Sequence, residues 1–249
     1  MTVTLADLGA ARVITWDRQE RRNAWDLPTM TAIAAEIEVA GRDTAVRMIA
    51  VRGAGGHFSA GDDLQAAIEA DTAAWAETIE AFQRMTRVVL AAPVPVVAVV
   101  DGVCVGGALE FAASCDLRLC SNRVRLLTPE VGIGLVASNA GTLLLPEVLG
   151  ESAARELLLS GEERDFEWAR EHGFATEFVA PGGLEKRIEH WAEVFSRTSR
   201  DAVAATKAML NERFGQLLPA AMDRETQHCV HLFDEPDARA ALGAFAKRG

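Results

Sequence analysis

The apolar and polar positions of this chain fall into short runs whose period changes along its length. Val3–Leu5 and Arg12–Trp16 read as two strands around a turn at Leu8-Gly9. A helix is expected from about Pro28 to Val39, with Asp26 near its start, Pro28 in its first turn, and Ile33, Ile37 and Ala40 on its buried face. Val46–Val51 reads as a strand, and its unbroken Met48-Ile49-Ala50-Val51 suits a parallel sheet buried on both faces. Gly53, Gly55 and Gly56 mark a loop, and Ala66–Ala91 reads as largely helical. Pro93–Val100 is a β-branched run too short and too proline-flanked for a helix. Gly106–Cys115 is then expected as a helix, and Leu117–Cys120 and Val124–Leu127 as strands.

Strands and helices alternate to about residue 130, which predicts an α/β fold with right-handed crossovers. Beyond Ser138 the pattern turns helical: Ala140–Leu149, Ser152–Leu159 and Asp165–His172, one strand at Thr176–Val179, then Leu184–Arg197, Ala202–Arg213, Leu218–Phe233 and Asp237–Lys247. The shift divides the chain into a core over residues 1–190 and a helical C-terminal region over 191–249. That region's apolar positions (Trp191, Phe195, Leu210, Phe214, Leu232, Phe233, Leu242 and Phe245) exceed what a small appendage buries alone, so a subunit interface is expected there.

Composition narrows the function. The 249 residues are 49% hydrophobic, enough for a large core. A net charge of -11 argues against a broad nucleic-acid surface. The apolar run Val94–Val100 is far too short to span a bilayer. The N-terminal MTVTLADLGAARV lacks the basic-then-apolar order of a signal peptide, so a cytoplasmic location is expected. Cys104, Cys115, Cys120 and Cys229 have no CxxC spacing and read as buried, reduced thiols. His228 and His231 could share a helix face, but no third ligand is spaced with them and no metal is expected.

The stretch with chemical promise is Val100–Glu130. Two glycine-bearing turns, Ala60-Gly61-Asp62 and Val105-Gly106-Gly107, each precede a predicted helix. Glycine allows tight turns, and N–H groups at a helix start have no partner within the helix. Two such turns facing each other would give the convergent donors that a developing oxyanion needs. Glu110 follows in the first helical turn among Leu109, Phe111 and Ala112, and Glu130 lies between Pro129 and an apolar run. A glutamate in apolar surroundings is either paired or chemically used. The alternative is that Glu110 only complements a helix dipole and Glu130 is a surface residue.

Six stretches carry a resemblance: ERRNAW (20–25), FSAGDDL (58–64), DGVCVGGALEFAASCDLRLC (101–120), TPEVGIGL (128–135), SRDAVAATKAM (199–209) and DARAALGAFAKR (237–248). In order and spacing the chain resembles the enoyl-CoA hydratase/isomerase (crotonase) superfamily over essentially its whole length, most closely an enoyl-CoA hydratase. The resemblance implies a crotonase-like ββα spiral with a C-terminal helical trimerisation region, and a homotrimer or dimer of trimers. It implies an oxyanion hole from the N–H groups of Asp62 and Gly107. Glu110 would activate water, and Glu130 would donate to the α-carbon of a trans-2-enoyl-CoA from fatty-acid β-oxidation. Arg22, Ala24, Ala60, Asp63 and Leu64 would line the CoA moiety, and Lys247 would reach a CoA phosphate. Coenzyme A is part of the substrate, so no cofactor or metal is implied, and neither nucleic acid nor membrane is an expected partner.

Other readings stand beside the hydratase: a Δ3,Δ2-enoyl-CoA isomerase, which needs only one carboxylate, or another crotonase-family acyl-CoA enzyme, and a non-catalytic acyl-CoA- or RNA-binding protein on the same fold. Three features depart from the family pattern. Ala137-Ser138-Asn139-Ala140-Gly141-Thr142 stands where hydratases carry a PGxGGT-like turn, and its Ser138 and Asn139 are expected to cap a helix or else to line the acyl pocket. Asp62 puts an acid at the oxyanion turn, and its side chain is expected to face outward. Ala240-Ala241 stand where an acidic residue is common.

Overall fold

The computed structural model describes residues 2–246. In chain order the elements are β1 (Thr2–Leu8), β2 (Ala11–Asp17), α1 (Leu27–Arg42), β3 (Met48–Gly53), α2 (Leu64–Glu69), α3 (Thr72–Ala91), β4 (Val96–Val100), β5 (Val103–Val105), α4 (Gly107–Ser114), β6 (Leu117–Ser121) and β7 (Arg125–Leu127). They continue with α5 (Gly141–Leu149), α6 (Glu151–Ser160), α7 (Phe166–Glu171), β8 (Glu177–Val179), α8 (Leu184–Ser196), α9 (Arg200–Glu212), α10 (Leu217–Phe233) and α11 (Pro236–Ala246). Six strands form one sheet in the order β1-β2-β3-β4-β6-β8, antiparallel between β1 and β2 and parallel elsewhere.

The unbroken apolar runs reflect a sheet covered on both sides. Along β2, β3 and β4, Ile14, Trp16, Ile49, Val51, Val96, Ala98 and Val100 face one core, shared with α1, α3 and α4. The alternate positions, Val13, Met48, Ala50, Val97 and Val99, face a second core closed by Leu184, Ile188 and Ala192 of α8. Helix α8 therefore runs through residues 190 and 191 as one packed element.

β2, β3, β4 and β6 each lead into a short second-layer segment and then a helix, which is the ββα spiral. β4 leads to β5 and α4, and β6 to β7 and α5; β5 and β7 pair in parallel. Earlier in the chain the second layer shrinks to single bridges, Trp25 with Asp62 and Ser59 with Cys104. These bridges bring the candidate loops together.

The single helix expected over Ala66–Ala91 is two. Asp71 stops α2 and starts α3, its side chain accepting from the Ala74 N–H at 2.8 Å. The expected excess of apolar surface in the C-terminal region is smaller than its composition suggests. Phe214, Phe233 and Leu242 are buried, and Trp75 stacks on Phe233 with centroids 4.7 Å apart. Leu210 remains exposed, with Met209 and Leu217. No helix among the described residues is long and apolar enough to cross a membrane.

Candidate active site

The two loops ERRNAW and FSAGDDL are held together by main-chain bonds. A 3₁₀ turn over Gln19–Arg21 is followed by Arg22 and Asn23 at φ 49° and 60°, a left-handed pair. Asn23 is well suited to that strain because its buried side chain is fully engaged. Its Nδ2 donates to the carbonyls of Ala54 (2.8 Å) and His57 (2.7 Å), and its Oδ1 accepts from the Arg18 N–H at 2.9 Å. Ala60 N–H donates to Arg22 O, Trp25 N–H to Gly61 O and Asp63 N–H to Trp25 O. The Asp62 N–H lies between these bonds. Among the described residues it has no backbone acceptor, and neither does the N–H of Gly107.

Gly107 opens α4, whose residues are all buried. Gly106 before it sits at φ 56° and ψ -129°, backbone that glycine alone adopts readily. The two turns abut: a Cβ on Gly61 would lie 2.6 Å from Val105 O. Beneath them the Phe82 ring fills the space that a side chain at position 107 would need, leaving 2.5 Å to an ideal Cβ. Trp25 packs between Phe82 and Phe111, with ring centroids 6.0 and 5.5 Å away. The two abutting turns thus rest on an aromatic floor of Phe82, Trp25 and Phe111.

Glu110 is 1% exposed, so it does not merely complement its own helix. Its Oε2 accepts from the N–H groups of Asn139 and Gly141, both at 2.8 Å, and its Oε1 from the Ser138 N–H at 3.4 Å. A Cβ at position 141 would fall 2.5 Å from Oε2, so glycine there makes room for the carboxyl. Ala140 is left-handed at φ 63° and no side chain of the turn caps α5. The expectation that Ser138 and Asn139 act as helix caps is therefore corrected: carboxylates from other elements take the free N–H groups. Asn139 is buried, with Oδ1 lacking a partner among the described residues. Ser138 is half-buried.

Glu130 opens a 3₁₀ turn over Glu130–Ile133. Its Oε2 is buried without a partner among the described residues, and its Oε1 would lie 2.6 Å from a Cβ on Gly106. The second carboxylate therefore sits against the start of α4. Burial raises the Glu130 pKa to about 7. Glu110 is raised well above the ordinary range by burial, then by the charges of Glu225 and Glu130, against the lowering effect of its N–H donors.

Asp62 does not face outward as expected. The residue is half-buried, but its Oδ2 is shut off from solvent with no partner among the described residues. Burial, with the charges of Asp63 and Glu130, raises its pKa to about 7. The folded state therefore binds this proton more tightly than the unfolded chain. The associated stability is complete below the ordinary value of 3.8 and is lost as pH rises to about 7. Asp62→Asn, which keeps the backbone N–H, is expected to be about 1–3 kcal/mol more stable than the native protein at pH 8. In urea unfolding the gain should shrink by about half at pH 5.5. An equal difference at both pH values would mean the Asp62 carboxyl is not the cause.

Against this geometry, the sequence profile described as "Enoyl-CoA hydratase/isomerase" matches residues 9–249. The chain belongs to the enoyl-CoA hydratase/isomerase family. It is similar to a crotonyl-CoA hydratase of Syntrophomonas wolfei, with 28% identity over 95% of this chain and 91% of that protein. It is also similar to a trans-2-decenoyl-[acyl-carrier-protein] isomerase of Streptococcus mutans, with 30% identity over 82% of this chain and 77% of that protein. The crystal structure of an enoyl-CoA hydratase/isomerase from Xanthobacter autotrophicus covers 99% of this chain and 93% of its own, with 29% identity and a TM-score of 0.88. The crotonase fold expected from the resemblance is the fold observed.

The remaining expected site residues of this family member sit as follows. Arg22 is exposed, Ala24 is buried, and Ala60 and Leu64 are half-buried around the 59–63 turn. Asp63 has structural work: it caps α2 by accepting from the Gln65 N–H at 3.1 Å and pairs with Arg18 Nη1 at 2.6 Å. Lys247 lies outside the described residues. All four cysteines are free and buried, and His228 and His231 are exposed. Glu225 of α10 is a buried group missed from sequence. It is 4% exposed and accepts from the Ala140 N–H (2.6 Å), the Thr142 N–H (2.9 Å) and the Thr142 hydroxyl (2.6 Å).

Proposed function

We propose that this family member is an enoyl-CoA hydratase, adding water reversibly to a trans-2-enoyl-CoA to give the 3-hydroxyacyl-CoA. The observation that carries the reading is the pair Glu110 and Glu130, two carboxyls of raised proton affinity, together with two N–H groups that have no backbone acceptor among the described residues. The N–H groups of Asp62 and Gly107 polarise the thioester carbonyl and stabilise the enolate-like transition state, each donor contributing about 3–4 kcal/mol. Glu110 and Glu130 hold one water. Glu110 takes its proton as the oxygen adds to the β-carbon, and Glu130 supplies a proton to the α-carbon. Carboxyls of ordinary pKa are poor bases and poor acids at neutral pH, whereas a group near 7 serves either role. No cofactor is required, because coenzyme A arrives with the substrate. Arg22, Ala24, Ala60, Asp63 and Leu64 flank the CoA path, and Lys247 takes a CoA phosphate. Ser138 and Asn139 line the acyl pocket, where the unpartnered Asn139 Oδ1 suits a chain carrying a hydrogen-bond donor.

The proposed assembly is a homotrimer or dimer of trimers through the helical C-terminal region, 191–249, with exposed Met209, Leu210 and Leu217 as apolar surface for it. The reading includes a cytoplasmic location. The isomerase alternative draws support from relatives named for that activity.

The deciding assay offers 2-enoyl-CoA and 3-enoyl-CoA separately and follows the conjugated enoyl absorbance. A hydratase removes the absorbance of the first substrate. Formation of conjugated product from the second, with no hydration of the first, would establish the isomerase instead. No turnover of either, with salt-sensitive RNA binding, would favour the non-catalytic reading.

A further inference from the structure

The proposed chemistry uses two carboxylates, yet a third is buried beside them. Glu225 and Glu110 come from different helices and grip the same five-residue turn from opposite sides. Glu110 takes the N–H groups of residues 138, 139 and 141, and Glu225 takes those of 140 and 142 with the Thr142 hydroxyl. The turn is also tied to α3 and α10. Gln83 Nε2, with two hydrogens to give, lies within hydrogen-bond reach of Ser138 O (3.0 Å), Met222 O (3.1 Å) and the Thr226 hydroxyl (2.9 Å). The N–H groups that aim Glu110 thus have no freedom to move unless Glu225 moves.

We propose that Glu225 is a positioning residue for Glu110: it fixes the turn that holds the Glu110 carboxyl and, as a second negative charge across that turn, makes Glu110 a stronger base. This role for Glu225 rests on Glu110 being the water-activating group of the proposed hydratase. Two buried carboxylates that share a turn repel, and the one with fewer strong donors keeps its proton to higher pH. Burial raises the Glu225 pKa, while its three short bonds and the neighbouring Arg224 oppose that rise and favour its charge. Glu110 has two bonds at 2.8 Å and a third at 3.4 Å, and faces the charges of Glu225 from α10 and Glu130 from the 3₁₀ turn. The groups offered to Glu225 by α3 and α5, Gln83 through its neighbour Thr226 and Thr142 directly, are neutral. The device gives a glutamate the proton affinity of a useful base without exposing it to water.

The test pairs kinetics with a titration independent of turnover. Carboxyl infrared difference spectra across pH are recorded for the native protein, Glu110→Gln, Glu225→Gln and Thr142→Val. The band absent from Glu110→Gln identifies Glu110. In Glu225→Gln that band should titrate at lower pH by about one unit. Thr142→Val takes a donor from Glu225, so it should move Glu110 in the same direction by less, and it remains informative if Glu225→Gln fails to fold. With 2-enoyl-CoA, Glu225→Gln should lose about 10- to 100-fold in kcat with KM within about threefold, and the pH limb belonging to Glu110 should move with the band. An unmoved Glu110 band in the folded variants overturns the inference, whatever happens to the rate. A moved band in a protein that hydrates no enoyl-CoA keeps the coupling of Glu225 to Glu110 and removes the hydratase reading on which its catalytic use depends.

Discussion

Glu110→Gln and Glu130→Gln are each expected to lower kcat for 2-enoyl-CoA hydration by about 100- to 10,000-fold. The two losses should be far from additive in the double variant, because the two groups handle one water. Glutamine at 110 is a clean probe. Its amide oxygen can take the place of Oε2 and accept from the Asn139 and Gly141 N–H groups, so the turn need not move. Besides the ability to take and return a proton, only the 3.4 Å acceptance from the Ser138 N–H is removed. Because both carboxyls are harder to ionise when folded than when unfolded, their stabilising protonation is lost as pH rises, to about 7 for Glu130. Each glutamine variant should therefore unfold at higher urea concentration than the native protein at pH 8 while being nearly inactive. Steady-state rates and urea midpoints on the same preparations check both halves. Near-native hydration by both variants would remove these residues from the chemistry. Retention of 3-enoyl-CoA isomerisation by one of them would assign a single-carboxylate reaction.

The strands and the outer helices were legible because their runs obey one period each. Met48–Val51 and Val96–Val100 are unbroken apolar segments, and the sheet covers both their faces. Asp26 marks the start of α1 by capping it, accepting from the Thr29 N–H at 3.0 Å. The site was legible in part. Gly61, Gly106 and Gly107 point to tight turns, and an added Cβ at each would fall 2.5–2.6 Å from a neighbouring atom. Glu225 was not legible. It sits in Asp223-Arg224-Glu225-Thr226, a polar run that reads as solvated surface, and its partners are main-chain N–H groups far away in sequence. The same gap explains Ser138, Asn139 and Asp62. Local rules assign small polar residues before a helix to capping and a loop aspartate to solvent. They cannot see that two carboxylates from other helices already occupy the N–H groups, or that the turn bearing Asp62 is pressed against Val105.

Gly106→Ala is expected to lower kcat by about 100- to 1,000-fold while the protein still folds. Position 106 joins the two halves of the site. Its peptide carries the Gly107 N–H, and its φ of 56° with ψ of -129° is disfavoured for alanine, at a cost of about 1–3 kcal/mol. The added methyl would also fall 2.6 Å from Glu130 Oε1 and 3.9 Å from Pro129 Cδ. Both ways of relieving that contact harm the reaction. If the backbone turns, the Gly107 N–H leaves the oxyanion position. If Glu130 swings away, the proton donor leaves the α-carbon. A loss in kcat with KM for enoyl-CoA changed less than about threefold would mark a defect confined to the transition state. The control is Gly132→Ala, two residues beyond Glu130, where an added Cβ meets nothing within 4 Å. It should leave kcat within about twofold. If Gly106→Ala behaved like that control, the Gly107 N–H could not be the donor that the proposed chemistry requires.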